Sequence, residues 1–555
     1  MAKTQTPAEG ESPFSPEEME EALMKPLNIA AHQMGAVQNF WAGFSRYANE
    51  FMIPYLLSTQ YFARAERERM TTATPWESFL SYMELAEFNQ DIALKSLMAS
   101  IRALNDVGGG ELKNAVAAFF NTVTGNGGEG EDLEAYFARQ AQMMDRVANV
   151  YPQAIRDIEP EYGFHFERGN HELFAESDRF YVYKIAPTDP NVQIDDSAKP
   201  IFIMPPYVLG ANILGFLPGD DRSYTHCYAN QGIPTYIRIL KKVTETPALQ
   251  TMTGEDDALD TKVFCEKIMA RHGKPVTLNG YCQGGFSAVC NILSGELDGV
   301  VDALLTCVSP MDGTRSRGLA AFLQSLPQRF NDLDFGTKTL ENGNQVADGK
   351  LMGWVYKLKS IENEAPLVAF YRDMMMVGPR KGKVPKISKT ALALNYWLTY
   401  ERTDLPLCIT EMSFASYNTP ITKDGVLPVK LFGRTLNFKR LAEKNIPWLI
   451  CFGERDDLVE KETALAPRDF IDVEISPFPK GHVAMATSWS DPKSEYALHT
   501  RFGDNQEFRG PVRYHLDLDK ALDQAAARSA EAAKKAKPEI KAPQKAAAKT
   551  SGKAK

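Results

Sequence analysis

The sequence predicts an α/β fold: a parallel sheet covered by helices on both faces, with a helical region in front of it and a mainly helical cap inserted into it. Three observations carry this expectation. From about Phe180 short apolar runs alternate with helical stretches. Ahead of them apolar residues recur at three- and four-residue steps with no strand signal, and between about 312 and 410 the strand signal fades while Trp354, Trp397 and a run of methionines at 374–376 appear. Buried parallel strands read as near-continuous apolar runs, and each crossover between them needs a helix.

Taken in order, residues 1–18 form a Pro/Glu/Ser leader expected to be unstructured. Residues 19–175 make the helical region, its faces marked by Phe79, Leu80, Met83, Leu85, Ala86 and Phe88 and again by Leu133, Tyr136, Phe137, Met143, Met144 and Val147. The GGGE at 108–111 and GNGGEGED at 125–132 are expected to cut it into helices of ordinary length. The α/β domain is expected over 176–520, with strands at 180–185, 201–204, 235–239, 276–278, 304–308, 448–452 and 470–475 and the cap at about 312–410. Residues 521–555 are an Ala/Lys/Pro-rich basic tail, expected to be disordered.

The 555 residues carry a formal net charge of −9. Residues 531–555, with eight Lys and two Glu, hold +6, which leaves −15 for residues 1–530. Such a balance argues against a nucleic-acid footprint along the whole chain and confines any DNA or anionic-surface contact to the tail. Seven cysteines with no CxxC pair, and no zinc-like spacing with the eight histidines, point to a reducing compartment with neither cofactor nor metal. The first 21 residues hold no apolar run, and the longest apolar stretch, 51–63, is short and contains Pro54. The reading is a cytoplasmic protein with no secretory signal and no transmembrane segment.

The chemistry centres on NGYCQGGFSAVC at 279–290, which follows the strand PVTL and opens a helix-like stretch. Gly280-Tyr281-Cys282-Gln283-Gly284 is a G-x-C-x-G form of the strand-turn-helix elbow that lifts a nucleophile above a sheet. Glycines let strand and helix approach closely, and the helix N-terminus favours thiolate over thiol and offers N–H groups to an oxyanion. The pentapeptide alone also fits a small buried cysteine in a glycine-rich turn. Downstream, the strand WLICF leads into Gly453-Glu454-Arg455-Asp456-Asp457, and after the next strand comes Lys480-Gly481-His482-Val483. Nucleophile, acid and base therefore follow the chain order of the α/β-hydrolase fold.

Asp456 matches the G-x-x-D spacing better than Asp457. Among the other histidines, His165 and His171 precede the sheet, His226 lies near its start, and His499 and His515 come after the last strand. His272, in the charged MARHGK, reads as solvated surface. The two oxyanion donors expected are the backbone N–H groups of Gln283, after the nucleophile, and of Val208, in the loop after the strand IFIM. For Val208 a rigid Pro-Pro loop leaving the sheet edge is an equal alternative.

The I-x-x-PPY-V-L-x-x-N segment from Ile201, the box GYCQGG, the stretch YNTPITKDGVLPVKLFGRTLNFKRLAEKNIPWLICFGERDDLV at 417–459 and GHV at 481–483 together resemble the polyhydroxyalkanoate (PHA) synthases, over about 180–489. The resemblance implies an α/β-hydrolase core with a cap, and a site in which Cys282 is nucleophile, His482 base and Asp456 carboxylate. It also implies 3-hydroxyacyl-CoA substrates, a homodimer, an accessory subunit or phasin as partner, and residence on the surface of polyester granules; the helical front either replaces the accessory subunit or is a scaffold bundle. Two other functions stay open at this point. One is an intracellular polyester depolymerase or acyl thioesterase on the same core. The other is a catalytically weak granule-associated protein.

Overall fold

A computed structural model describes residues 15–124, 130–331, 333–379 and 383–487 of the chain. Residues 1–14 of the expected leader, the basic tail at 521–555 and the histidines at 499 and 515 lie outside the described residues, while residues 16–18, expected to be unstructured, are already helical because Pro16 opens the first long helix.

The front of the molecule is built from two very long helices, α1 (Pro16–Arg69, 54 residues) and α2 (Pro75–Thr124, 50 residues). At 1.5 Å per residue they span about 80 and 75 Å. Thr74 starts α2 with a capping box, its hydroxyl accepting from Glu77 N–H (3.3 Å) while the Glu77 carboxylate accepts from Thr74 N–H (2.7 Å). The expected break at 108–111 does not occur: α2 runs straight through all three glycines, and a Cβ on any of them would meet nothing within 4 Å. Three interior glycines cost about 3 kcal/mol against alanine, yet the helix is held just beyond them. Glu111, the next residue, is tied to the following helix α3 (Leu133–Asp145): its carbonyl accepts from Tyr136 Oη (3.3 Å) and its carboxylate from Arg139 Nη2 (3.3 Å) and Gln140. The second expected break does fall where α2 ends, with Asp132 capping α3 through Ala135 N–H (2.9 Å).

Eight strands form the main sheet: β1 (Glu172–Glu176), β2 (Phe180–Lys184), β3 (Ile201–Met204), β4 (Thr235–Leu240), β5 (Val276–Tyr281), β6 (Val301–Cys307), and, after the cap and a hairpin of β10 (Val426–Leu431) and β11 (Arg434–Asn437), β12 (Trp448–Gly453) and β13 (Glu474–Phe478). Their order is β1-β2-β4-β3-β5-β6-β12-β13, antiparallel where β2 meets β1 and β4 and parallel everywhere else. This is the α/β-hydrolase arrangement, and the chain has that fold. Strand β1 gave no apolar run to detect, because it is an edge strand of pattern ELFAE, largely exposed. The last strand lies at 474–478, C-terminal to the expected 470–475, because a 3₁₀ turn at Ala466–Asp469 and its exit occupy the apolar residues before it.

The sheet separates two apolar clusters, and the alternation of β3 shows how. Ile201 and Ile203 face one with Tyr281 and Cys307, while Phe202 and Met204 face the other with Phe264 and Phe286. Two helices cover the second face, α4 (Gly254–His272) and α5 (Gln283–Ser294), the latter buried along its whole length. The inserted cap holds α6 (Arg317–Ser325), α7 (Gly349–Lys359), α8 (Pro366–Val377) and α9 (Lys389–Tyr400), and leads into α10 (Leu407–Asn418). It is less purely helical than expected, since β7 (Thr337–Thr339), β8 (Gln345–Ala347) and β9 (Leu405–Pro406) make a small antiparallel sheet.

The front helices grip this cap. Tyr47 Oη donates to Asp373 Oδ2 (2.6 Å), Tyr61 Oη to Asp348 Oδ2 (2.8 Å), and Arg329 pairs with the buried Glu66. Phe62, Leu85 and Ile92 share a third apolar cluster with Phe330, Phe335 and Trp354. Much of the outer surface of α1 and α2 is nevertheless apolar and exposed, including Leu27, Met34, Trp41, Leu97, Leu112 and Val123. No described helix is long and apolar enough to cross a membrane.

Candidate active site

The site is assembled at the C-terminal ends of β5, β12 and β13, around one strained residue. Cys282 stands between β5 and α5 with φ 51° and ψ −124°, a backbone region that a side chain pays for in strain of order 1–3 kcal/mol. The surroundings enforce it. Cys282 N–H donates to Cys307 O on the neighbouring strand (2.8 Å), and Gly285 N–H donates back to Cys282 O (2.9 Å). The flanking glycines are there for closeness. A Cβ on Gly280 would lie 2.2 Å from the Gly285 Cα, and one on Gly284 would lie 2.3 Å from the Met204 carbonyl oxygen. The helix thus begins directly beneath the sulfur.

His482 follows β13, and its Nδ1 bonds to Asp456 Oδ2 at 2.8 Å. Asp456 Oδ1 accepts from the N–H groups of Leu458 (3.0 Å) and Val459 (2.9 Å), so one carboxylate oxygen is locked by its own loop and the other faces the imidazole. Asp457 points outward, exposed, with its carbonyl bound to Lys359. Tyr281, the residue before the cysteine, donates its hydroxyl to His482 O (2.8 Å), which joins the elbow to the histidine loop. The second ring nitrogen, Nε2, is buried and makes no hydrogen bond of ordinary geometry. Burial works against a charge on His482, but the Asp456 carboxylate and then Cys282 outweigh it and hold its pKa well above the usual range.

The three residues lie deep, with Cys282 8%, Asp456 5% and His482 7% exposed. Cap side chains Leu392, Ala393 and Trp397 belong to the same apolar cluster as Cys282, and Trp397 Nε1 donates to Leu209 O (2.9 Å) in the loop after β3. Val208, in that loop, directs its N–H to the side-chain Oε1 of Gln283 (3.3 Å), and Gln283 Nε2 continues to Ser413 on α10. The structure therefore brings all five expected residues together, with the Val208 donor covered by a side chain rather than open.

The other described histidines make different surroundings. His226 bonds to Ser223 Oγ (2.7 Å), and burial, with His171 beside it, pushes it down to about 3. His272 is a correction to the expected solvated surface. It is buried, bonded to Tyr236 Oη (2.8 Å) on β4 and to Asp196 O (2.8 Å), because the last turn of α4 packs against the sheet rather than out to water.

A buried polar knot behind the loop escaped the sequence reading. Arg238 on β4 pairs with Asp257 (2.5 Å), donates to Tyr207 Oη (2.8 Å), and lies over the Phe180 ring at 4.2 Å. Tyr207 Oη donates to Asp257 (2.6 Å), which also accepts from Asn291 on α5 (2.8 Å). The available signal was an arginine inside the otherwise apolar strand TYIRIL, since a buried charge demands a partner. The knot fixes Tyr207, and with it the backbone that carries Val208.

No protein-family model matches the chain, and no curated protein does. Among solved structures it is similar to carboxylesterases of Nitrososphaera gargenis (12% identity over 57% of this chain and 92% of that one, TM-score 0.33). It is also similar to a naproxen esterase from Bacillus subtilis (11%, 61% and 92%, TM-score 0.31) and an esterase domain from Rhodothermus marinus (12%, 58% and 92%, TM-score 0.29). Likenesses this distant say nothing of the reaction. The strand order and the elbow make the chain an α/β-hydrolase-fold protein whose elbow carries cysteine.

Proposed function

We propose that this chain is a polyhydroxyalkanoate synthase, transferring 3-hydroxyacyl groups from CoA thioesters to a growing polyester through Cys282. The observation that carries the reading is a thiol, not a hydroxyl, at the strained elbow, facing a histidine that Asp456 orients. Attack of the Cys282 sulfur on an acyl-CoA exchanges one thioester for another at nearly equal energy. His482 takes the thiol proton and returns it to the departing CoA sulfur, so the acyl group stays activated on the protein. In the second half the 3-hydroxyl of another unit gives its proton to His482 and attacks the acyl-cysteine, an oxygen ester forms, and the cysteine sulfur leaves. That step runs downhill. The two N–H donors would hold the oxyanion in both halves.

Water has to be kept from the acyl-cysteine, or the same residues make a thioesterase. The burial of Cys282 and His482 and the packing of cap residues in the Cys282 cluster support exclusion. Granule attachment, a homodimer, an accessory subunit or phasin, and contact of the basic tail with DNA belong to the same proposal.

The deciding experiment incubates purified protein with 3-hydroxybutyryl-CoA and follows both CoA release and the acyl group. Polymer that disappears in Cys282→Ala supports the synthase. Free 3-hydroxybutyrate as the sole product turns the assignment to a thioesterase, and no CoA release from freshly reduced protein turns it to a catalytically weak coat protein.

A further inference from the structure

One hydrogen-bond donor at the site is already occupied by the protein itself. Val208 N–H meets the Gln283 side-chain oxygen at 3.3 Å, while the amide nitrogen of the same side chain donates to Ser413 Oγ on α10. A carboxamide oxygen is a neutral carbonyl oxygen, as is that of a thioester. Gln283 Oε1 therefore sits on the donor that a substrate carbonyl would use. The backbone N–H of the same residue opens α5, where helix geometry leaves it without an intrahelical acceptor. One residue offers one oxyanion donor and covers the other.

Building on the acyl-transfer reading, we propose that the Gln283 side chain is a latch on the oxyanion site, held shut by Ser413. The acyl carbonyl oxygen displaces Gln283 Oε1 from Val208 before Cys282 attacks. For Val208 this exchange replaces one carbonyl acceptor with another and is close to neutral. The resistance lies instead in the Gln283–Ser413 bond, because a buried carboxamide that gives up a partner must find another. Ser413 is half-buried, so water can satisfy its hydroxyl once the latch opens. With the latch shut, the second donor is denied to any acyl group that brings too little binding energy to expel the carboxamide. Gln283 is thus a specificity element of the cysteine site, acting on which acyl donors reach the transition state.

The test measures first-turnover acylation of the full chain in stopped flow, with p-nitrophenyl butyrate and separately with 3-hydroxybutyryl-CoA. Ser413→Ala removes the anchor and leaves Cys282, His482 and Asp456 untouched. Its acylation rate rises about fivefold, the factor that one neutral hydrogen bond supplies. Its alkylation by iodoacetamide, a reaction that develops no oxyanion, stays at the wild-type rate. Gln283→Ala, which keeps the backbone N–H, accelerates acylation at least as much. Slower acylation in Ser413→Ala at an unchanged thermal midpoint overturns the latch, since Gln283 would then be a buttress of the site. Unchanged acylation in both variants overturns it as well. The two proposals separate cleanly: wild-type protein that is acylated by the ester but releases no CoA from 3-hydroxybutyryl-CoA defeats the synthase reading, and the ester rates still decide the latch.

Discussion

The elbow around Cys282 and the long helices in front of the cap are opposite solutions to holding a chain in place. At the elbow every atom is contested: glycine neighbours touch backbone at distances no Cβ could share, and α5 is buried on all sides. Along α2 three glycines sit in open space, and large apolar side chains face outward, Leu97 at 56% and Leu112 at 66% exposure. A strained residue persists only where its surroundings over-determine it. A long helix, in contrast, needs only occasional anchors, here Glu66 to Arg329, Tyr61 to Asp348 and Tyr47 to Asp373. The proposed chemistry thus falls where packing is rigid, and the front helices grip the cap over it from outside.

Five measurements would break or sharpen that contrast. The largest effect is expected from Cys282→Ala, which lowers acyl transfer by at least about 10³-fold while the thermal midpoint stays level or rises. A fall in the midpoint would mean that the cysteine serves packing. Asp456→Asn keeps the shape but loses the carboxylate that orients His482 Nδ1, and costs about 10²–10⁴-fold in turnover, read from CoA release at saturating substrate.

His482 also predicts a pH dependence of stability. Its folded pKa is raised, so the stabilisation it provides is complete below its unfolded value of about 6.5 and is lost as pH rises through the folded value. In urea titrations the gap between wild type and His482→Gln should therefore be widest at acidic pH and narrow on going alkaline. A gap that widens with pH would refute the charged pair.

Behind the loop after β3, Tyr207→Phe removes one hydroxyl from the Arg238–Asp257 knot and should destabilise by about 1–3 kcal/mol, measured by denaturant midpoint at unchanged slope. The smallest effect belongs to the front. Gly109→Ala, at a helical position with nothing within 4 Å of the new Cβ, should stabilise by up to about 1 kcal/mol. A loss of stability there would show that the glycine run has a use that packing does not reveal.

Much of this was legible in one dimension. The strand runs at 201–204, 235–239, 276–278 and 448–452 fall on β3, β4, β5 and β12, because buried parallel strands write themselves as short apolar words. The expectations that failed were those where local chemistry permits two outcomes. Glycines at 108–110 allow a turn or a helix, and a helix won because α3 holds Glu111. MARHGK is polar in sequence, yet its histidine is buried against Tyr236.

By itself the sequence determined the elbow, because that geometry is encoded in neighbours a few residues apart whose sizes and dihedrals leave little choice, and it gave the chain order of Cys282, Asp456 and His482. Only the tertiary structure decided between Asp456 and Asp457, since both follow the same strand and burial alone tells the inward carboxylate from the outward one. It alone joined Gln283 to Ser413, 130 residues away, and Arg238 to Tyr207 and Asp257. A hydrogen bond between distant residues leaves no periodicity in the chain, and its partners are chosen by the space that the packed sheet and helices leave them.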